Sequence, residues 1–434
     1  MVEMDLTHSW FGYFSLGVFI FSYVLVIFEE AIELRKSKPV LVAAGLIWVL
    51  IGAAYASAGQ SSVAETAAQH IIFEYGELFL FLFVAITYVN VMEERRVFDV
   101  LRVQLTKLGL SYRQLFWLTG AIAFCLSAVL NNLTTALVMG AVVLAVGRAS
   151  ASFIAISCIS IVVAANAGGA FSAFGDITTL MVWQKGKVGF FEFFVLFVPA
   201  VVNWLIPALI MQFGIEKGKP TPVTDQVKLK PGALGVVVLF ALTTIIAVAF
   251  RNVLGLQPML GMMLGLGLLQ IWAYFLQQRG KRFANGDMVL NSFAQMERVE
   301  WDTLLFFFGI IFAVGGLGVL GYLGAANTYL FGQFGPTIAN IAIGLLSAVV
   351  DNIPLTFGVL TMNPDMSHGQ WLLLTLTASV GGSILAIGSA AGVALMGLAP
   401  KQYTFMSHLK WSWAVALGYV AAIAVHLVLN KGLF

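Results

Sequence analysis

Two pairs of adjacent polar residues interrupt apolar stretches of this sequence. Asn131 and Asn132 lie within VLNNLTTALVMGAVVLAVG, and Asp351 and Asn352 lie within VVDNIPLTFGVL. Amide and carboxylate groups lose free energy when they are buried without hydrogen-bonding partners. Each pair therefore predicts other polar groups or a bound ligand close by.

Two longer segments, 153–183 and 371–397, carry further polar residues among many glycines, alanines and serines. The string GGAFSAFGD at 168–176 matches GGSILAIGS at 381–389 position by position. Glycine pairs beside central polar residues predict that both segments are helices that break midway. Irregular backbone at membrane depth is tolerated only where protein or a water-filled cavity satisfies it.

The polar residues of the two pairs and the two breaks could bind a small cation. Na⁺ and Li⁺ are hard cations that prefer carboxylate, amide, hydroxyl and carbonyl oxygens. A proton and a cation compete for the same buried carboxylate, which is enough to couple their movement in opposite directions. This chemistry needs no cofactor. The predicted cation-binding residues, which form the expected Na⁺ site, are Asn131, Asn132, Asn166, Asp176, Thr178, Thr179, Asp351, Asn352, Ser383 and Ser389.

The composition is that of an integral membrane protein. Of 434 residues, 60% are hydrophobic and only 10% are charged, whereas a soluble protein of this length carries far more charge. The net charge of +2 gives no case for nucleic-acid binding. Together with the two broken helices, eight apolar runs give about ten spanning segments. These runs are 9–29, 39–58, 71–92, 190–213, 232–250, 258–276, 302–323 and 412–430.

The basic residues predict the orientation of the chain. When the acidic N-terminus is placed outside, all of the 23 lysines and arginines except Lys185, Lys187, Arg251 and Lys431 fall on one side. Cytoplasmic loops carry an excess of such residues. We therefore expect a multi-pass protein of the cytoplasmic (inner) membrane with its N-terminus outside.

Shorter apolar stretches predict two re-entrant helical hairpins, about 115–147 and about 329–362. The arms of the first hairpin would each be about 22–24 Å long as helices, which is too short to span a bilayer. Arg113 and Arg148 flank this hairpin and place both of its ends on the same side. The tips of the hairpins then fall at the two polar pairs.

The two halves of the chain, 1–222 and 223–434, repeat each other. AVLNN at 128–132 matches AVVDN at 348–352. When the chain crosses the membrane once at each predicted spanning segment, the two halves enter it from opposite sides. Inverted-topology repeats with broken elements at corresponding positions are typical of secondary transporters, whose site lies at the repeat interface. The predicted fold class is an all-α polytopic membrane protein with two re-entrant helical hairpins and two broken helices.

Four further acidic residues lie near helix ends. Glu74 and Glu77 are one turn apart near the outer end of their helix, and Glu300 and Asp302 lie near an inner end. These residues either contribute to a proton pathway or gate, or form ordinary solvated helix ends.

The two tips, the breaks FSAFGDITT and LAIGSAAG, and the helix start EWDTLLFFFG together resemble NhaD-type sodium/proton antiporters of the ion transporter superfamily. The resemblance covers nearly the whole chain. It implies exchange of Na⁺ or Li⁺ for H⁺ by a homodimer in the lipid bilayer, and no enzymatic reaction. The antiporter pattern favours Asp-Asn at both tips, whereas this chain has Asn131 where the first Asp would be, which leaves one fewer carboxylate.

Side-chain size differs between segments and suggests which of them move. The hairpins and broken helices are dense in Gly, Ala and Ser, whose small side chains let neighbouring backbones slide. We therefore expect them to form a transport unit that carries the site across the membrane in an elevator-like movement. Bulky stretches such as LFLFLFVAITYV and FFEFFVLFVPAVVNWL are expected to form a static scaffold and the dimer interface.

Two other classes of function remain as alternatives. An anion transporter of the same superfamily would carry a dicarboxylate or an arsenite-type species. Asp176 and Asp351 would repel such a substrate, and we expect no Arg or Lys near either tip to pair with it. A membrane enzyme or structural subunit is the second alternative, but metal-ligand spacings, nucleophile motifs and glycine-rich phosphate loops are missing from the sequence.

Overall fold

The computed structural model describes residues 4–147, 150–220, 227–283 and 289–434. All regular secondary structure in these ranges is helical. Seventeen helices, numbered in chain order, are α1 (Trp10–Ile27), α2 (Ser37–Ser57), α3 (Ser61–Glu94), α4 (Val97–Lys107), α5 (Tyr112–Ser127), α6 (Asn132–Val146), α7 (Ala151–Ala170), α8 (Ile177–Gln184), α9 (Phe197–Met211), α10 (Ala233–Asn252), α11 (Pro258–Phe283), α12 (Trp301–Val319), α13 (Phe334–Leu346), α14 (Asn352–Met362), α15 (His368–Gly381), α16 (Ala390–Leu398) and α17 (Ser412–Leu429).

Short helical turns connect several of these helices. Those of α type are Glu29–Ile32, Ser292–Glu297, Tyr322–Asn327 and Phe405–Leu409, Thr328–Gln333 is a π-helix, and the 3₁₀ turns are Phe190–Leu196, Gln212–Gly214, Ala386–Gly388 and Lys431–Leu433.

By length and composition, 10 stretches of the described residues could cross a membrane. Eight of them correspond to the predicted apolar runs, and another is α7, the first half of a broken helix. The predicted number of about ten is thus confirmed, but one member differs. The stretch Tyr322–Leu346 is included, whereas 371–397 is divided between α15 and α16, which have only 14 and 9 residues.

The stretch Tyr322–Leu346 is not one straight helix. A π-helix covers Thr328–Gln333, and Gly335 has φ 75° and ψ 162°, which is outside the helical region. Glycine adopts this conformation because it has no Cβ. The regular helix from Pro336 onward rises only about 16 Å, about half of the hydrocarbon thickness.

Each polar pair lies at the start of a helix that follows a tight turn. The Asn131 side chain accepts a 2.7 Å hydrogen bond from the Thr134 N–H and caps α6. Asp351 likewise accepts a 3.1 Å hydrogen bond from the Ile353 N–H and caps α14. Capping satisfies N–H groups that have no partner inside the helix. Helices α5 and α6 thus form a first helix pair around one turn, and α13 and α14 form a second around the other. Arg148, predicted to flank the first helix pair, lies outside the described residues, as does the predicted boundary between 222 and 223.

Both broken helices are interrupted as the sequence predicts. α7 ends at Ala170 and α8 begins at Ile177, while α15 ends at Gly381 and α16 begins at Ala390. The residues that restart the helices, Asp176 and Ser389, have nearly identical backbone angles: φ is −143° at both, and ψ is 151° and 149°.

Close approaches explain the glycines beside the breaks. A Cβ atom added to Gly168 would overlap the carbonyl oxygen of Phe124 in α5, and one added to Gly381 would overlap that of Gly344 in α13. Only residues without a side chain allow the helix axes to come this near. The short arm before each polar pair is therefore pressed against the broken helix of its own half.

Apart from α4, the helices fall into two clusters, which contact each other where α14 packs on α12. In the flanking cluster (α1, α2, α3, α10, α11 and α12), α1 packs on α2 as α10 packs on α11. In the break cluster (α5 to α9 and α13 to α17), α5 packs on α7 as α13 packs on α15. Because α9 packs on α7 and α17, the stretch 190–213 belongs to the break cluster. From its bulky side chains, this stretch is expected to belong to the static scaffold. The expectation is wrong, because side-chain size alone does not identify packing partners.

Candidate ion-binding site

Asp176 is a buried carboxylate at the start of a helix. It caps α8, and its side chain is almost wholly buried. One oxygen, Oδ1, accepts a 3.4 Å hydrogen bond from the Thr178 N–H. The Thr179 hydroxyl donates to the Asp176 carbonyl at 2.7 Å and accepts from its N–H at 3.3 Å. The partial positive charge of a helix N-terminus stabilises a carboxylate in this position.

The second polar pair contacts this carboxylate directly. The Asn352 side-chain amide donates a 3.0 Å hydrogen bond to Asp176 Oδ2. Asn352 is as buried as Asp176, so the contact is shielded from water. The tip of the second helix pair therefore meets the break of the first half, as expected if both belong to one site.

The first polar pair is linked to both breaks by a chain of amides. Asn132 Nδ2 donates to Asn166 Oδ1 at 2.9 Å, and Asn166 Nδ2 donates to the Ser383 hydroxyl at 2.8 Å. Asn166 and Ser383 are completely buried. These three predicted site residues lie together, although Ser383 is 217 positions from Asn166.

Ser379 contacts a residue of the site, but it is not among the predicted cation-binding residues. Its hydroxyl lies 2.9 Å from that of Thr178, and both residues are fully buried. The signal that could have found it is the match of 168–176 with 381–389, because the same alignment places Ser379 opposite Asn166.

The second break is held by residues that follow it in the chain. His408 Nε2 lies 2.9 Å from the Ser383 carbonyl oxygen, to which it can only donate. The other ring nitrogen lies 2.7 Å from the Tyr403 hydroxyl. Ser412 Oγ donates to the Ile384 carbonyl at 2.6 Å. Backbone carbonyls that lose their helical partners at the break thus accept hydrogen bonds from His408 and Ser412. The sequence did not predict these contacts.

Asp351 lies beside the site rather than in its buried centre. Its side chain and that of Ser389 line a cavity of about 260 Å³. Its N–H donates to the Tyr23 hydroxyl at 3.2 Å, and its Oδ2 lies 3.9 Å from Lys36 Nζ. The expectation that no Lys or Arg approaches a tip is therefore wrong. Sequence spacing gave no sign of Lys36, because it comes from a loop more than three hundred residues earlier.

Asn131 faces a much smaller space. Together with Asp176 it lines a cavity of about 30 Å³ that is otherwise bordered mainly by apolar side chains, including Phe81 and Phe174. A space of this size holds about one or two water molecules. Ser389, in contrast, accepts a 3.3 Å hydrogen bond from the Gly392 N–H as the cap of α16.

Glu74 and Glu77 lie away from these contacts, near the end of α8. Glu74 forms an ion pair with Lys185, and its Oε1 lies 2.7 Å from His70 Nε2. Glu77 is 9% exposed, and its Oε1 atom has no hydrogen-bonding partner in the described residues. Both glutamates line a cavity of about 280 Å³.

Glu300 and Asp302 lie at the start of α12. Asp302 accepts a hydrogen bond from the Ser37 hydroxyl, and Glu300 accepts one of 3.1 Å from Thr303. Burial raises the pKa of Glu300 above its ordinary value, and the side chain borders a cavity of about 220 Å³. Within the described part of the chain, neither side chain has a direct hydrogen bond to a predicted cation-binding residue.

Comparisons with known proteins identify the family to which the chain belongs. The family model described as "Citrate transporter" matches residues 23–381. The chain is 53% identical over 451 residues to "Na(+)/H(+) antiporter NhaD" of Alkalimonas amylolytica, covering 99% of this chain and 93% of that protein.

Two other relatives carry corresponding names. The protein of Halomonas elongata with the same name is 51% identical and covers 100% of this chain and 91% of its own length. "Sodium/proton antiporter 1" of Arabidopsis thaliana is 32% identical, over 95% of this chain and 72% of its own length. Since about half of its residues are shared with NhaD proteins over nearly its full length, the chain belongs to the family of NhaD-type sodium/proton antiporters.

Proposed function

We propose that this protein exchanges Na⁺ for H⁺ across a membrane and binds the ion where Asn352 meets Asp176. That contact carries the proposal, because it joins a buried carboxylate and a helix N-terminus to the polar tip of the other half. The relatives named as sodium/proton antiporters support the same reaction. Li⁺ is proposed as a second substrate, because it prefers the same oxygen ligands.

The proposed first ligands are the carboxylate of Asp176 and the side-chain carbonyls of Asn352 and Asn131. The small cavity between Asp176 and Asn131 gives the ion a place to lie after it loses most of its water. Two sets of hydrogen bonds hold the helices around the ion in place. Asn132, Asn166 and Ser383 join the first tip to both broken helices, and Thr178 contacts Ser379 across them. These side chains and that of Thr179 supply further oxygens.

Coupling follows from competition for Asp176. Burial disfavours its charged form, so an empty site binds a proton, and a Na⁺ ion favours the ionised form and displaces that proton. Asp351 and Ser389 border the route to one face through their cavity. Glu77, which is buried, and Glu300, which is half-buried, each lie beside a cavity. They are proposed to pass protons or gate the site, with Glu74 and Asp302 as their neighbours.

We further propose that the two halves form an inverted-topology repeat whose short helix pairs are re-entrant. Matched contacts support this: Ser127 Oγ donates to the Ala165 carbonyl at 2.6 Å, and Ser347 Oγ donates to the Ala378 carbonyl at 2.8 Å. Each of these hydroxyls ends the first arm of its pair and contacts the broken helix of its own half.

The break cluster is proposed to move as one unit against the flanking cluster, in an elevator-like exchange between the two faces. The protein would lie in the cytoplasmic membrane as a homodimer, with its basic loops in the cytoplasm and its N-terminus outside. Transport of a citrate-like anion is not supported, because Asp176 and Asp351 would repel it and Lys36 is already paired with Asp351.

The test uses purified protein in liposomes that hold a pH gradient reported by a fluorescent dye. Addition of NaCl or LiCl is expected to collapse the gradient, whereas KCl and succinate are expected to leave it intact. Asp176→Asn should remove the response, and Asp365→Asn, which alters an exposed aspartate, should preserve it. A full response in the Asp176→Asn protein would move the ion site elsewhere.

A further inference from the structure

We infer that the ammonium group of Lys36 is a tethered competitor of the transported cation at Asp351. The inference deepens the proposed function, on which it rests, by naming a residue that sets the apparent affinity for Na⁺. Its starting point is the 3.9 Å distance between Lys36 Nζ and Asp351 Oδ2.

Lys36 is held in a definite position by the flanking cluster. It lies between α1 and α2, where its N–H donates to Glu29 at 3.1 Å. Its ammonium lies 4.5 Å from the ring centroid of Phe306 in α12, and Phe306 is fully buried. A cation over an aromatic face is attracted by the ring. The charge is therefore fixed next to Asp351 and not distributed over many rotamers in water.

The partners of this ion pair belong to different clusters. Lys36 is anchored by helices of the flanking cluster, whereas Asp351 caps α14 in the break cluster. Tyr23 in α1 also reaches Asp351, since its hydroxyl accepts from the Asp351 N–H. The tip therefore contacts the flanking cluster through Asp351, while its neighbour Asn352 contacts the buried Asp176.

The ion pair lies where an ion would enter or leave. Lys36 and Asp351 both line the cavity of about 260 Å³, and their side chains are 20% and 18% exposed. A separation of 3.9 Å is long for a charge-assisted hydrogen bond, so the ammonium neutralises the carboxylate without enclosing it. A hydrated cation that binds Asp351 from this cavity competes with that ammonium for the carboxylate charge.

Competition has a consequence for both directions of transport. An ammonium on a short tether has a high effective concentration at Asp351, so Na⁺ must be more concentrated to displace it. When Na⁺ leaves through the same cavity, the returning ammonium replaces it and opposes rebinding. Lys36 would thus weaken Na⁺ binding and speed release at this face.

Substitution of Lys36 by methionine separates this role from a structural one. In Na⁺-driven dequenching with liposomes, Lys36→Met should lower the half-saturating Na⁺ concentration about fivefold, the upper range for a partly exposed ion pair. The maximal rate should fall, because release becomes slower. Lys36→Arg keeps a cation and should retain the weaker affinity, and Lys38→Met removes an exposed charge two residues away as the matched control.

A binding measurement gives an independent readout. Na⁺ that binds the folded protein raises its melting temperature according to its affinity, so NaCl should begin to stabilise Lys36→Met at about fivefold lower concentration. If this variant does not accumulate, Lys36→Gln removes the charge and keeps a polar side chain. Unchanged or higher half-saturation in the charge-removed protein would overturn the competition. Failure of the unsubstituted protein to move protons in response to Na⁺ would instead overturn the proposed exchange.

Discussion

Asn352 donates a 3.0 Å hydrogen bond to Asp176 across 176 positions of sequence, and both side chains are buried. The amide belongs to a helix that follows a tight turn, and the carboxylate belongs to a broken helix of the other half. A movement of one element without the other would break the contact and leave the buried Asp176 carboxyl group without this hydrogen-bonding partner.

Substitution of either partner, or of the neighbouring Asp351, should therefore impair transport, but to different degrees. Asp176→Asn removes the group for which Na⁺ and H⁺ compete and should abolish Na⁺-driven proton movement. Asp351→Asn removes the carboxylate at the tip and should weaken this movement strongly. Asn352→Ala removes a hydrogen bond to a charged group and should raise the half-saturating Na⁺ concentration about tenfold or more. The measurement is dye dequenching in liposomes, with elution volume on gel filtration as the control for folding.

The sequence predicted much of this arrangement. Isolated polar residues in apolar stretches identified Asp176 and Asn352, because burial of such groups requires a reason. The match of 168–176 with 381–389 located both breaks, since glycines and small residues are needed where backbones approach within contact distance. Both signals could be read from the sequence without a structure.

Partners from distant elements could not be predicted in the same way. Lys36 reaches Asp351, and His408 reaches the Ser383 carbonyl, only because separate helices meet in the folded protein. The stretch 190–213 has bulky side chains but packs on α7 and α17, which side-chain size does not reveal. Gly335 interrupts Tyr322–Leu346 through its backbone angles, although the composition of that stretch favours a continuous span.

The topology of the helix pairs can be tested with single cysteines. In a background in which Ser replaces the exposed Cys125, cysteines at Lys107 and Ala151 should react with a membrane-impermeant maleimide from one side. Cysteines at Gln333 and Asp365 should react from the opposite side. These four positions are exposed and flank the two pairs. If Lys107 and Ala151 react from different sides, the first pair crosses the membrane and is not re-entrant.

The glycines beside the breaks should not tolerate even a methyl group. Gly168→Ala and Gly381→Ala place a Cβ on a backbone carbonyl oxygen, and overpacking of this kind costs about 1–3 kcal/mol. The melting temperature of the purified protein should fall in both variants. Gly267→Ala in α11 is the control, because a Cβ there meets no atom within 4 Å. Equal melting temperatures in all three variants would show that the helices separate easily at these points.

The proposed movement of the break cluster predicts which cross-links stop transport. Lys185 follows α8 and forms an ion pair with Glu74 in α3, so this contact joins the break cluster to the flanking cluster. In a background without Cys125, cysteines at both positions, joined by a short reducible cross-linker, should stop Na⁺/H⁺ exchange, and reduction should restore it. The two single-cysteine proteins, treated in the same way, account for any effect of the substitutions themselves.

A second cross-link within one cluster completes the comparison. Trp117 Nε1 donates to Gln212 at 3.1 Å, and both residues lie in or directly beside helices of the break cluster. A cross-link between cysteines at these positions should leave exchange intact, because the two helices would move together. If the Lys185–Glu74 cross-link also leaves exchange intact in both directions, the clusters need not move against each other. Access would then change through local gates, for which Glu77 and Glu300 beside their cavities are the first residues to examine.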